Sequence, residues 1–201
     1  MRFRSSTNHL EPRLRHLEMI ADPDLAYLRL AVRDLDDYLL SPELFWALPS
    51  SPTSLGEPGL QQLTLGGVAL SLARAGAAGA TGLEPLRETV DRVRTKWRAT
   101  WAKKASREYQ SRLELWQRTL ADMLDEPAGR KAAYPFRVRV RTILDLLVGE
   151  MIPETPADPQ RLIGLDARLR AVAREGPFVW EGCFEPGFPK DRFWYLYIQF
   201  N

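Results

Sequence analysis

Hydrophobic positions along the chain recur at steps of three and four over most of its length, the spacing of one helical face. Leu25, Leu28, Val32, Leu35 and Leu39 make one such face and predict a helix over 23–40. A short helical turn is expected over 42–48. Leu60, Leu63, Gly67, Leu70 and Arg74 predict a helix over 58–74, with Gly66 and Gly67 allowing a neighbour to approach closely. The dominant element is the run 86–126, 41 residues without glycine or proline. Its stripe passes through Leu86, Val90, Val93, Trp97, Trp101, Ala105, Tyr109, Leu113, Trp116, Leu120 and Met123. As one helix it would span about 60 Å. The ends keep heptad spacing, whereas the middle moves to steps of four, a stutter that locally unwinds a coiled coil. A break near 103–106 is the alternative to one continuous helix.

Punctuation agrees with this partition. Asp22-Pro23, Ser41-Pro42 and Asp158-Pro159 each place a capping side chain before a proline suited to the first helical position. Thr81 to Glu84 matches a capping box ahead of the long run. Residues 137–141 alternate arginine and valine like a strand, but Phe136, Val140, Ile143, Leu144 and Leu147 favour a helix over 135–148. Residues 153–159 read as a linker. A last helix over 158–175 carries Leu162, Leu165, Leu169 and Val172, with Gly176 as its C-cap. The segment 177–201 is rich in aromatics. Its alternation over 192–200 predicts a strand, with 177–184 as the antiparallel partner. Such a hairpin is marginal alone, so it must lie on the helices or pair with another chain.

The fold class expected is therefore mainly α: a helical bundle organised on one long helix over about 83–126, with a C-terminal aromatic β-hairpin or extended tail. The chain reads as a single helical domain over 1–201. Residues 1–21 are expected to be a flexible N-terminal segment, and 177–201 to pack on the bundle or on a partner chain.

Composition narrows the chemistry. Of 201 residues, 45% are hydrophobic and 27% charged, ordinary values for a globular chain. The net charge of +2 demands neither a nucleic acid nor a membrane as partner. No stretch is apolar enough to span a bilayer, and the one cysteine, Cys183, favours a reducing, cytoplasmic setting. His9 and His16 are too few for a zinc site. The sequence lacks GxxxxGK[ST], GxGxxG and GxSxG. No cofactor, metal or catalytic residue is expected.

Charge is unevenly placed. Residues 94–112 hold seven cations, Arg94, Lys96, Arg98, Lys103, Lys104, Arg107 and Arg112, against one acid, Glu108. With Trp97, Trp101 and Tyr109 interleaved, this surface could hold phosphates and stack bases. The stronger reading puts these aromatics, which lie on the stripe, in the core and makes the cations the solvated side of the helix, matched in charge by the acidic residues of 22–43. Lys96, Arg98, Lys103, Lys104, Arg107 and Arg112 are the candidate partner or phosphate contacts. Phe193, Trp194, Tyr195 and Tyr197 are the candidate aromatic interface. The leading expectation is a non-enzymatic interaction or scaffold protein, a subunit of a homo-oligomer or larger assembly. A nucleic-acid-associated helical protein is the alternative, and an enzyme with an unrecognised site the second.

Overall fold

The computed structural model describes residues 10–49, 62–126, 129–151 and 158–200, with 10–22 described by their backbone alone. Seven helices occupy most of them: α1 (Leu10–Leu40), α2 (Leu65–Ala77), α3 (Glu84–Lys96), α4 (Arg98–Asp125), α5 (Arg130–Arg137), α6 (Arg139–Val148) and α7 (Pro159–Val172). Two small antiparallel sheets pin the connections. Strand β1 (Trp46–Ala47) pairs with β2 (Gln62–Leu63), and β3 (Ala173–Glu175) pairs with β4 (Ile198–Phe200).

The mainly α bundle is present, and its stripe is buried. Val90, Val93, Trp101, Ala105, Tyr109, Leu113, Trp116, Leu120 and Met123 all lie in the core. The long run is divided, however, and the break falls at Trp97 rather than at 103–106. Trp97 leaves helical geometry (φ −114°, ψ 32°) while its N–H still bonds Val93 O at 2.9 Å. Its indole Nε1–H donates to Asp36 Oδ1 on α1 at 2.6 Å. That tertiary contact holds α3 along α1, and the bend lets α4 lean onto α6, its most extensive neighbour. The chain itself therefore covers the stripe of α4, a helix of 28 residues.

Several boundaries differ from the sequence reading. α1 runs through Pro23 from Leu10, so Asp22-Pro23 does not open it. Pro23 removes one ladder hydrogen bond; the buried face beyond it, with Leu25, Leu28 and Leu35, outweighs that loss. Ser41 closes α1 instead of starting a helix, its hydroxyl donating to Tyr38 O at 2.8 Å. Residues 42–48 are not helical but bend into β1; the Pro42 and Glu43 carbonyls accept from Arg107 and Lys104 of α4, and the Leu44 carbonyl from Tyr38 of α1. The predicted 58–74 helix begins at Leu65, where Thr64 Oγ1 caps the Gly67 N–H at 2.9 Å; 58–61 lie outside the described residues. At α3 the N-cap is Leu83, whose side chain makes no capping bond, and Pro85 falls in the first turn. The 135–148 segment is helical, as two pieces joined at Val138 (φ −66°, ψ −14°).

The C-terminal expectation changes most. α7 ends at Val172, and Ala173 is already extended, so Gly176 is not a helix cap. β4 pairs with 173–175, not with 177–184. The latter leads into a 3₁₀ turn over Gly182–Gly187. Packing explains the change: Phe184, Phe188, Phe193 and Tyr195 are buried against helices, and a two-stranded ribbon would leave one side of them wet. Edge-to-face contacts link Trp180, Phe188, Phe193 and Tyr195 at 5.1–6.2 Å between centroids.

Gly66 shows how closely the helices approach. A Cβ there would lie 2.3 Å from Ile143 Cγ2 on α6 and 2.6 Å from Glu108 Oε1 on α4. Gly66→Ala is expected to cost about 1–3 kcal/mol through overpacking. Gly149→Ala, with nothing within 4 Å, should stay close to wild type in the same urea titration.

Candidate functional site

The basic segment of α3 and α4 meets α1 and the start of α2, and most of its cations are engaged there. Lys96 Nζ pairs with Asp36 at 2.7 Å and lies over its neighbour Trp97. Lys96 and the Trp97 indole together hold the Asp36 carboxyl below its ordinary range. Lys104 is buried: its Nζ donates to Tyr38 O, to Ser41 O at 3.1 Å and to Glu43 O at 2.7 Å, over the Tyr38 ring. An ammonium has three donors, and here all three reach carbonyls at and just past the C-terminus of α1, its negative dipole end. Burial, with Arg107 nearby, pushes this ammonium down to about 8. Arg107 itself reaches Pro42 O at 3.3 Å.

The single acid of the segment has the complementary role. Glu108 is fully buried and accepts the Gly66 N–H at the start of α2, 3.0 Å from Oε2. Arg112 Nε donates to Glu108 Oε1 at 3.2 Å, and its Nη2 reaches Thr64 Oγ1 at 3.3 Å. Lys104 and Glu108, four residues apart, therefore put a cation at the end of α1 and an anion at the start of α2, each complementing a helix dipole. Sequence spacing showed the charges as a helix face; it did not show that two of them point inward.

Arg98 and Lys103 remain exposed. Arg98 borders an open cleft of about 750 Å³ with Arg94, Trp101, Glu150 and Met151. The Glu150 carboxylate is already held there by Arg94 at 2.9 Å and by the Trp101 indole at 2.9 Å. Trp101 and Tyr109 are buried and present no stacking face to solvent.

The aromatic candidates lie elsewhere. Phe193, Tyr195 and Tyr197 are buried in the chain's own core, and Trp194 is half-buried beneath Arg170. Tyr195 belongs to a second buried polar cluster that sequence reading missed. Arg141 on α6 holds Asp166 of α7 through two bonds of 2.9 Å and Asp145 through one ion pair of 2.8 Å. The Tyr195 hydroxyl donates to Asp145 Oδ2 at 2.7 Å. In the sequence, the signal for this cluster is that Arg141 and Asp145 stand four residues apart, the spacing of a helical ion pair.

Among the described residues no group of three or more His, Cys, Asp or Glu could hold a metal. His9 and the His16 side chain lie outside them. Burial pushes the Cys183 thiol up, away from the thiolate form that reacts. No described helix is long and apolar enough to cross a membrane.

The class this architecture defines is a mainly α helical bundle closed by an aromatic C-terminal segment. No protein-family model, curated protein or solved structure matches the chain.

Proposed function

We propose that the protein is a non-enzymatic interaction or scaffold protein that works as a self-associated subunit. The observation that supports this reading is the apolar corner at the end of α1. Leu40 is 61% exposed and Phe45 38%, large apolar surfaces on a rigid support. The loop is tied back by the Tyr38 hydroxyl to Leu44 O at 3.1 Å and by the Trp46 indole to Asp34 at 3.1 Å. Lys104 and Arg107 fix its carbonyls from the other side. A cleft lined by Phe45, Trp46, Leu48 and Pro49 opens there, with Asp34 and Glu43 beside the apolar residues. A preorganised apolar patch with a polar rim is the anatomy of a protein interface. A second copy suits it because the same chain exposes the complementary cations Arg98 and Lys103.

Nucleic-acid binding through Lys96, Arg98, Lys103, Lys104 and Arg107 has less support, since Lys96, Lys104 and Arg107 bond within the chain.

Sedimentation equilibrium tests the proposal. Wild type should weigh a multiple of the 23.0 kDa chain mass, and Leu40→Asp with Phe45→Asp should return it to one chain with an unchanged helical spectrum. A wild-type protein that stays at one chain mass across the concentration range overturns it.

A further inference from the structure

A second cleft lies where the end of α7 meets the C-terminal segment. It is an open groove of about 210 Å³ lined by Arg170, Arg174, Lys190, Trp194, Tyr197 and Ile198, with Glu175 at its edge and the three cations exposed to solvent. Four separate pieces of chain build it: α7, β3, the turn before residue 193 and the segment 194–198. The pairing of β3 with β4, Arg174 opposite Gln199, fixes the backbone beneath.

The cations differ in what they already hold. Lys190 is paired with Glu175. Arg170 stacks on Trp194, its guanidinium carbon 3.7 Å from the ring centroid. Arg170 and Arg174 make no hydrogen bond or ion pair with any described residue. Stacking fixes the plane of Arg170 while leaving its N–H edge to donate, the arrangement in which arginine binds planar or tetrahedral oxyanions. The lining also includes the buried residues Tyr197 and Ile198; the Tyr197 hydroxyl donates to Phe188 O at 2.9 Å.

We propose that this cleft binds a small organic phosphomonoester, its phosphate between Arg170 and Arg174 and its carbon body against Ile198 and Tyr197. Two guanidinium groups without an ion pair among the described residues match the charge of a phosphate dianion. The volume is below the roughly 300–1,000 Å³ of pockets for drug-sized ligands, so the occupant is small.

Phenyl phosphate is the probe, followed by the Trp194 indole N–H resonance of the full chain. Saturable binding is expected. Arg170→Ala and Arg174→Ala should each weaken it about tenfold, the loss of a charge-assisted contact. Arg170→Lys should weaken it too, because an ammonium lacks the stacked fork. Arg168→Ala, exposed on the same helix but outside the cleft, should leave it unchanged. Benzoate, with one charge, and inorganic phosphate, without the ring, should both bind more weakly. The proposal is overturned by absence of saturable binding, by equal loss in Arg168→Ala, or by benzoate or inorganic phosphate binding as tightly as phenyl phosphate.

Discussion

Glu108→Ala should lower the unfolding free energy by about 3–5 kcal/mol, the range for removing one partner of a buried ion pair. Glu108 is fully buried, its Arg112 partner has a side chain only 15% exposed, and the Gly66 N–H depends on Glu108 as acceptor. The substitution leaves a cation and a helix-terminal donor without their partner, and both losses act at the junction of α2 and α4. Against a total of about 5–15 kcal/mol for a typical domain, that removes a large share of stability. Glu108→Gln keeps an acceptor for Gly66 but not the charge, so it should fall between the two. Urea denaturation followed by circular dichroism reads the shift in midpoint. A Glu108→Ala midpoint close to wild type would show that the buried carboxylate is not what joins these helices.

The second large effect is expected at Arg141. Arg141→Met strips two acids of their common partner: Asp166, with a side chain 10% exposed, and Asp145, 18% exposed. A loss of about 3–5 kcal/mol is expected here as well. Combining Arg141→Met with Asp166→Leu should recover part of it, since an apolar pair of similar volume spares the cost of a buried, unpartnered carboxylate. Asp145 stays partly satisfied by the Tyr195 hydroxyl, which limits how much its own change could add. A double-mutant cycle from the same denaturation curves gives the coupling directly. If the double variant is no more stable than Arg141→Met alone, the charge pairing is not the source of the loss.

Both effects arise where charges that look like a solvated face on paper turn out to be buried. Lys104 and Glu108 sit at ordinary helix-surface spacing among other charges, and nothing local distinguishes them from Arg98 or Lys103. What separates them is that α1 ends, and α2 begins, against that part of α4. Arg141 and Asp166 lie on different helices, so only the i,i+4 relation of Arg141 to Asp145 was visible beforehand. The tail shows the same limit in another form. Its alternating aromatics announced a strand over 192–200, yet only 198–200 form one, and Trp194–Leu196 turn as a 3₁₀ helix. Its strand partner, though, was decided by which arrangement buries Phe184, Phe188 and Tyr195 on all sides. The break at Trp97 likewise follows from Asp36 on another helix, not from any helix-breaking residue within the run.

The sequence by itself determined that this protein is helical, which face of each major helix is apolar, and that Gly66 and Gly67 permit a close approach. Those properties depend on periodicity and side-chain size, which act over a few residues. The tertiary structure alone decided which charges are buried, which helix ends they complement, where the long run is interrupted and which arginines border a cleft. These depend on distances between residues far apart in the chain, and electrostatic pairing is set by distance and burial, not by order along the sequence.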